Sequence, residues 1–132
     1  MALMKFREPN QVRWVGSRPG HDGTQVYGYN AQNGVGNAIV YVVPADSTLF
    51  ITYMFSTSRV GVAAACDGGL QIYTDGFVFW RVLMPHLYDL AGHQLYCVSL
   101  DQPIEVPTGY SIRVISSNAA LDVAGGIWGW IE

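Results

Sequence analysis

His21-Asp22, His86, His93, Cys66 and Cys97 are the positions of this 132-residue chain where chemistry could start. A histidine held by a carboxylate can act as a general base. Yet His21 and Asp22 are adjacent, so their side chains rarely aim at one atom, and no nucleophile is marked. They read as a polar loop after Arg18-Pro19-Gly20. His86 and His93 flank Tyr88-Asp89 at a spacing that fits neither HxH nor HExxH zinc binding. Cys66 and Cys97 form no CxxC pair and are expected to be two buried thiols acting as small apolar residues, a disulfide being the less expected alternative. Asp67, Asp75 and Asp89 adjoin turn residues and are expected to bond turn backbone. No GxSxG, P-loop or dinucleotide fingerprint is present. The expectation is no enzyme, no metal and no cofactor.

The elements that would position any site are strands. From Ala38 onward, runs of Val, Ile, Tyr and Phe alternate with turn clusters, and no stretch keeps a helical apolar period. The turns include a phrase used twice. Val43-Pro44-Ala45-Asp46-Ser47 and Val106-Pro107-Thr108-Gly109-Tyr110 each close one strand and launch the next. Proline presets φ for a turn and cannot donate to a ladder, which suits it to that junction. Strands are predicted at Ala38–Val43, Thr48–Ser58, Leu70–Thr74, Phe77–Met84, His93–Leu100, Ile104–Val106, Tyr110–Ser116 and Ala124–Ile131. Asp75-Gly76 is predicted to be a hairpin turn, and 85–92 a loop with at most one helical turn. Many short strands at this spacing predict an all-β, jelly-roll-like antiparallel sandwich over residues 38–132.

Residues 1–37 differ in texture. Six glycines fall between Gly16 and Asn37, among several Asn and Gln. Such a segment has few side chains to pack and much backbone entropy to lose. The prediction is an extended glycine-rich N-terminal arm with a strand at Thr24–Tyr29.

Composition narrows the function. Only 13% of residues are charged, about half the usual share, while 50% are apolar. The net charge of −3 and scattered Lys and Arg leave no basic stripe for nucleic acid. No apolar run approaches the length of a membrane-spanning helix. Sandwich strands should bury one face and wet the other. Ala38–Val43, Phe77–Met84 and the last strand are apolar on both. In the last, Ile127, Gly129 and Ile131 point one way, Trp128 and Trp130 the other. A face of that kind marks an interface. Trp128, Trp130, Ile39, Tyr41 and Trp80 are therefore the expected subunit contacts of a homodimer or homotrimer.

The wording Val-Pro-Ala-x-x-Thr-Leu-x-Ile-Thr (Val43 to Thr52), Pro103-Ile104-x-Val106-Pro107-x-Gly109 and a closing Gly-x-x-Gly-x-Ile strand resembles small jelly-roll virion proteins of tailed bacteriophages. These are capsid decoration or cement proteins and fibre head domains. The resemblance implies a structural protein made in the host cytoplasm and carried on the virion. It would bind the major capsid protein from outside the shell. Arg7, Arg13, Trp14, Arg18, Tyr27 and Tyr29 are the expected shell contacts. A receptor- or glycan-binding fibre head, using exposed aromatics and loop acids, is the alternative.

Overall fold

The computed structural model describes residues 23–132. Eight strands span these residues: β1 (Thr24–Asn33), β2 (Gly36–Val42), β3 (Leu49–Val60), β4 (Cys66–Tyr73), β5 (Phe79–Tyr88), β6 (Gly92–Val106), β7 (Ser111–Ser116) and β8 (Leu121–Ile131). They form two antiparallel four-stranded sheets, ordered β1-β8-β3-β6 and β2-β7-β4-β5. The first strand pairs the last, the second the seventh, the third the sixth and the fourth the fifth. The described residues thus form a long hairpin folded at Asp75-Gly76, with β8·β3 and β7·β4 as additional seams.

The core lies between the sheets. β3 sends in Leu49, Ile51, Met54 and Val60; β4 Leu70 and Ile72; β7 Ile112 and Val114; β8 Leu121, Val123 and Ile127. Each such side chain contributes about 1.5–3 kcal/mol by leaving water. β3 does not keep one alternation. The sequence predicts Leu49, Ile51, Tyr53 and Phe55 on one face. In the structure the register with β6 and β8 shifts between Ile51 and Tyr53. The additional residue, Thr52, turns the later side chains over, so Met54, Ser56, Ser58 and Val60 are buried and Tyr53 and Phe55 face outward. A bulge reverses the parity.

The repeated proline phrases meet in space. Val43 N–H donates to Tyr110 O at 2.9 Å, Gly109 N–H to Val43 O at 3.0 Å, and the Thr108 hydroxyl to Pro44 O at 2.7 Å. Two residues past each proline the backbone enters positive φ, 58° at Asp46 and 79° at Gly109. Both are residue types that tolerate it.

Several boundaries differ from the sequence reading. The strand expected over Thr24–Tyr29 extends to Asn33 and is zipped to β8 along its whole length, so this part of the 1–37 segment is a sheet member. The loop expected at 85–92 is strand as far as Tyr88, Pro85 included. β6 likewise runs through Pro103. Both prolines sit on edge strands, where a missing N–H breaks no ladder. No helix among the described residues is long and apolar enough to cross a membrane.

Candidate interaction faces and a buried histidine cluster

The outer face of sheet β1-β8-β3-β6 follows from register. Tyr27 stands beside Trp128, and Trp128 beside Tyr53; Tyr29 stands beside Gly126, and Gly126 beside Phe55. Tyr27 stacks on Trp128 with centroids 5.6 Å apart and planes 30° from parallel. Tyr29 reaches across Gly126 to stack on Phe55 at 6.0 Å and 15°. The glycine makes that possible, since a β-carbon on Gly126 would lie 2.7 Å from the Phe55 ring. Tyr27 is 70% exposed, Tyr29 60% and Trp128 47%. Leu95 extends the face on β6. At its far end Arg59 pairs with Asp122 at 2.9 Å beside Asn33, Thr57 and His93, around a shallow depression of about 170 Å³.

Trp130 shares this face but not its exposure. It is 2% exposed, stacks on Phe50 at 5.1 Å and 11°, and donates its indole N–H to Glu132 at 2.7 Å. Trp130 is therefore covered, whereas its strand neighbour Trp128 stands exposed beside Tyr27.

The outer face of sheet β2-β7-β4-β5 is also apolar. It shows Ile39, Val82 and a cluster at the β4–β5 hairpin, where Phe77 stacks on Tyr73 at 5.0 Å and Phe79 meets Tyr73 edge-on at 6.0 Å. The Arg113 guanidinium lies 4.4 Å over the Phe77 ring and donates to Ser111 at 2.9 Å and Asn37 at 2.6 Å. Phe77 itself is at φ 58°, a region a bulky residue enters at a cost of about 1–2 kcal/mol. Asp75-Gly76 does make the hairpin, but the left-handed position is the Phe. Tyr41 and Trp80, expected at an interface, are half-buried and pack against the core, Trp80 edge-on to Tyr110 at 5.2 Å. Burial raises the Tyr41 phenol above its ordinary pKa.

A polar cluster joins the sheets from inside. Fully buried His86 on β5 meets Ser58 through Nδ1 at 2.7 Å and Ser56 through Nε2 at 2.8 Å, both on β3. Ser58 Oγ is 2.6 Å from the Tyr88 hydroxyl. With both ring nitrogens engaged away from solvent, the cluster is a packed polar connector between the sheets. Burial pushes the imidazole below its ordinary pKa, opposed in part by Gln94. The sequence reading missed the cluster. Its trace is two polar residues two apart in each of two apolar strands, Ser56/Ser58 and His86/Tyr88.

The other expected positions are scattered. His93 is exposed on the outer face, away from His86. Arg7, Arg13, Trp14, Arg18 and His21-Asp22 lie outside the described residues. Asp67 is in a strand, its N–H bonded to Ser117 Oγ at 2.9 Å. Both cysteines are free; Cys97 is exposed, against the expected burial, and Cys66 is half-buried. Burial first, then Asp67 and Asp89, push the Cys66 thiol up. Among the described residues no group of three or more His, Cys, Asp or Glu could hold a metal.

Comparison with family models and with curated proteins returns no match. Function must be argued from the faces.

Proposed function

We propose that this chain is a jelly-roll structural protein of a bacteriophage virion, decorating the outside of the head as a homo-oligomer. The jelly-roll reading is supported by strand order: pairing first with last and fourth with fifth across two sheets is what a rolled hairpin gives. One observation carries the functional reading. Both outer faces of the sandwich expose large apolar side chains, Tyr27, Tyr29, Leu95 and Trp128 on one, Ile39, Phe77, Phe79 and Val82 on the other. A bracing protein needs two adhesive faces pointing apart, one for a copy of itself and one for the shell. It acts by mass action, stabilising the assembled lattice by its binding free energy because it does not bind the disassembled subunits. The test is re-addition of purified protein to stripped phage heads. Saturable binding and a higher rupture temperature support the proposal, and no binding to any head preparation ends it.

A fibre-head reading has its own support in the Tyr29–Phe55 platform, which shares one sheet face with the polar depression of Asn33, Arg59, His93 and Asp122. Binding of glycans by the free protein, lost on Phe55→Ala, would move the assignment there.

A further inference from the structure

The sandwich is closed along one side and open along the other. On the closed side the edge strands β1 and β2 cover one another. The backbone at Gly28 stands against the Val40 carbonyl with no room for a β-carbon, and Asn30 Nδ2 donates to Ile39 O at 2.8 Å. On the open side β5 and β6 stand apart across an apolar groove of about 400 Å³ lined by Leu83, Pro85, Tyr96 and Val98. The Gln94 side chain bridges it, donating to Leu87 O at 2.8 Å.

The two open edges differ. β5 carries Arg81 and Pro85, residue types that keep a neighbouring strand away. β6 has no such guard over most of its length. From Gly92 to Ser99 it pairs with β3 without a break in register and holds no carboxylate, lysine, arginine or proline. Among the described residues nothing pairs with its outer edge, and Leu95, Tyr96 and Cys97 are exposed on it. Unpaired strand backbone of this kind is a template for another strand.

We propose that β6 pairs antiparallel with β6 of a second copy of this chain about a twofold axis centred on Cys97. An axis relating two adjacent antiparallel strands stands normal to the sheet, so outward side chains oppose outward ones and the axis passes through one residue position. His93, Leu95, Cys97, Ser99 and Asp101 are exposed on the outer face, while Val98 and Leu100 pack inward. Charge complementarity selects Cys97 as the centre. There the His93 imidazole opposes the Asp101 carboxylate of the second copy, twice over. Leu95 opposes Ser99, Cys97 opposes itself, and Tyr96 meets Val98 on the inner side beside the groove. With Tyr96 at the centre Asp101 would oppose Ala91, and with Val98 it would oppose Leu95; neither answers its charge. Register with β3 shifts after Ser99, so the regular shared ladder is Leu95 to Ser99, with the His93–Asp101 pairs at its ends. Each β6 has one open edge, so pairing stops at two copies. The contact leaves both outer faces uncovered, and a dimer presents each of them twice. It supplies a self-contact for the proposed oligomer without resting on the virion reading.

The test uses the full chain carrying Cys66→Ser, which leaves Cys97 as its thiol. Sedimentation velocity should give a dimer. Diamide, which takes two electrons and two protons from a pair of thiols, should convert it to a disulfide-linked dimer. Directly opposed residues have Cα atoms about 4.5–5.5 Å apart, within disulfide reach. Leu95→Asp/Ser99→Asp opposes like charges twice across the axis and should weaken the dimer about tenfold, whereas Leu95→Lys/Ser99→Asp opposes unlike charges and should restore it. Both positions are exposed, so both variants should fold as the parent does. A monomer at every attainable concentration, or a dimer that ignores the charge swap and resists diamide, overturns the proposal. A monomer whose β6 amides exchange slowly would assign the edge to residues 1–22 of its own chain and overturns it too. Binding to phage heads is read separately: a dimer that binds no head ends the virion reading alone, and a monomer that binds heads ends this inference alone.

Discussion

Tyr27 and Trp128 lie against one another, centroids 5.6 Å apart, on strands hydrogen-bonded in register at those two residues. The contact puts an early and a late segment of the chain into one exposed aromatic surface. The sequence alone points to Tyr27 as a shell contact and to Trp128 as a subunit contact, and the fold makes the two residues neighbours.

Replacing Tyr27 and Trp128 together by serine should weaken self-association or shell binding at least tenfold. Tyr27 is 70% and Trp128 47% exposed, so folding stability should change by only about 1 kcal/mol. Sedimentation velocity and urea unfolding read the two effects separately. An unaltered oligomer and unaltered shell binding would show the face to be idle.

Gly129 and Gly61 should respond oppositely to a methyl group. A β-carbon on Gly129 would lie 1.9 Å from the Phe50 carbonyl oxygen, whereas one on Gly61 would meet nothing within 4 Å. Gly129→Ala should cost about 3 kcal/mol, because the clash is with a paired backbone, and Gly61→Ala should be nearly neutral. Thermal denaturation of the two variants checks the contrast.

At Phe77 the usual order of alanine over glycine should invert. Both substitutions lose the stacking on Tyr73, but at φ 58° only glycine avoids the backbone penalty. Phe77→Gly should be the more stable of the pair by about 1 kcal/mol. Equal stabilities in urea would mean that the hairpin relaxes out of this conformation.

Ser58→Ala removes the centre of the buried chain and leaves His86 Nδ1 and the Tyr88 hydroxyl without their shared partner. The expected loss is about 1–3 kcal/mol at neutral pH. Calorimetry of the variant measures it. A loss close to zero would show that water enters the site.

The thiols should separate by rate. Cys97 is exposed and should react with a disulfide reagent quickly, while Cys66, half-buried with its pKa raised, should lag until denaturant is added. Two equal fast phases would contradict the packing at Cys66.

The fold class was legible in the chain because the signals that set it are local. Proline junctions at Pro44 and Pro107, the Asp75-Gly76 hairpin and runs of β-branched and aromatic residues demand short strands wherever they occur. The two-sided apolarity of the last strand was also local, and the structure keeps Trp128 and Trp130 on the side opposite Ile127. What only tertiary structure decided is how the faces are composed. The Thr52 bulge reversed the parity of β3, bringing Tyr53 and Phe55 outward and Ser56 and Ser58 inward, and a single additional residue leaves no periodic trace. Trp130 became buried, stacked on Phe50 and close against Gly23, while Trp128 stayed half-exposed beside Tyr27. Register joined Tyr27 to Trp128 and placed His86 between two serines of the opposite sheet. Sequence dictates which residues want a strand; pairing between distant strands dictates which side chains meet.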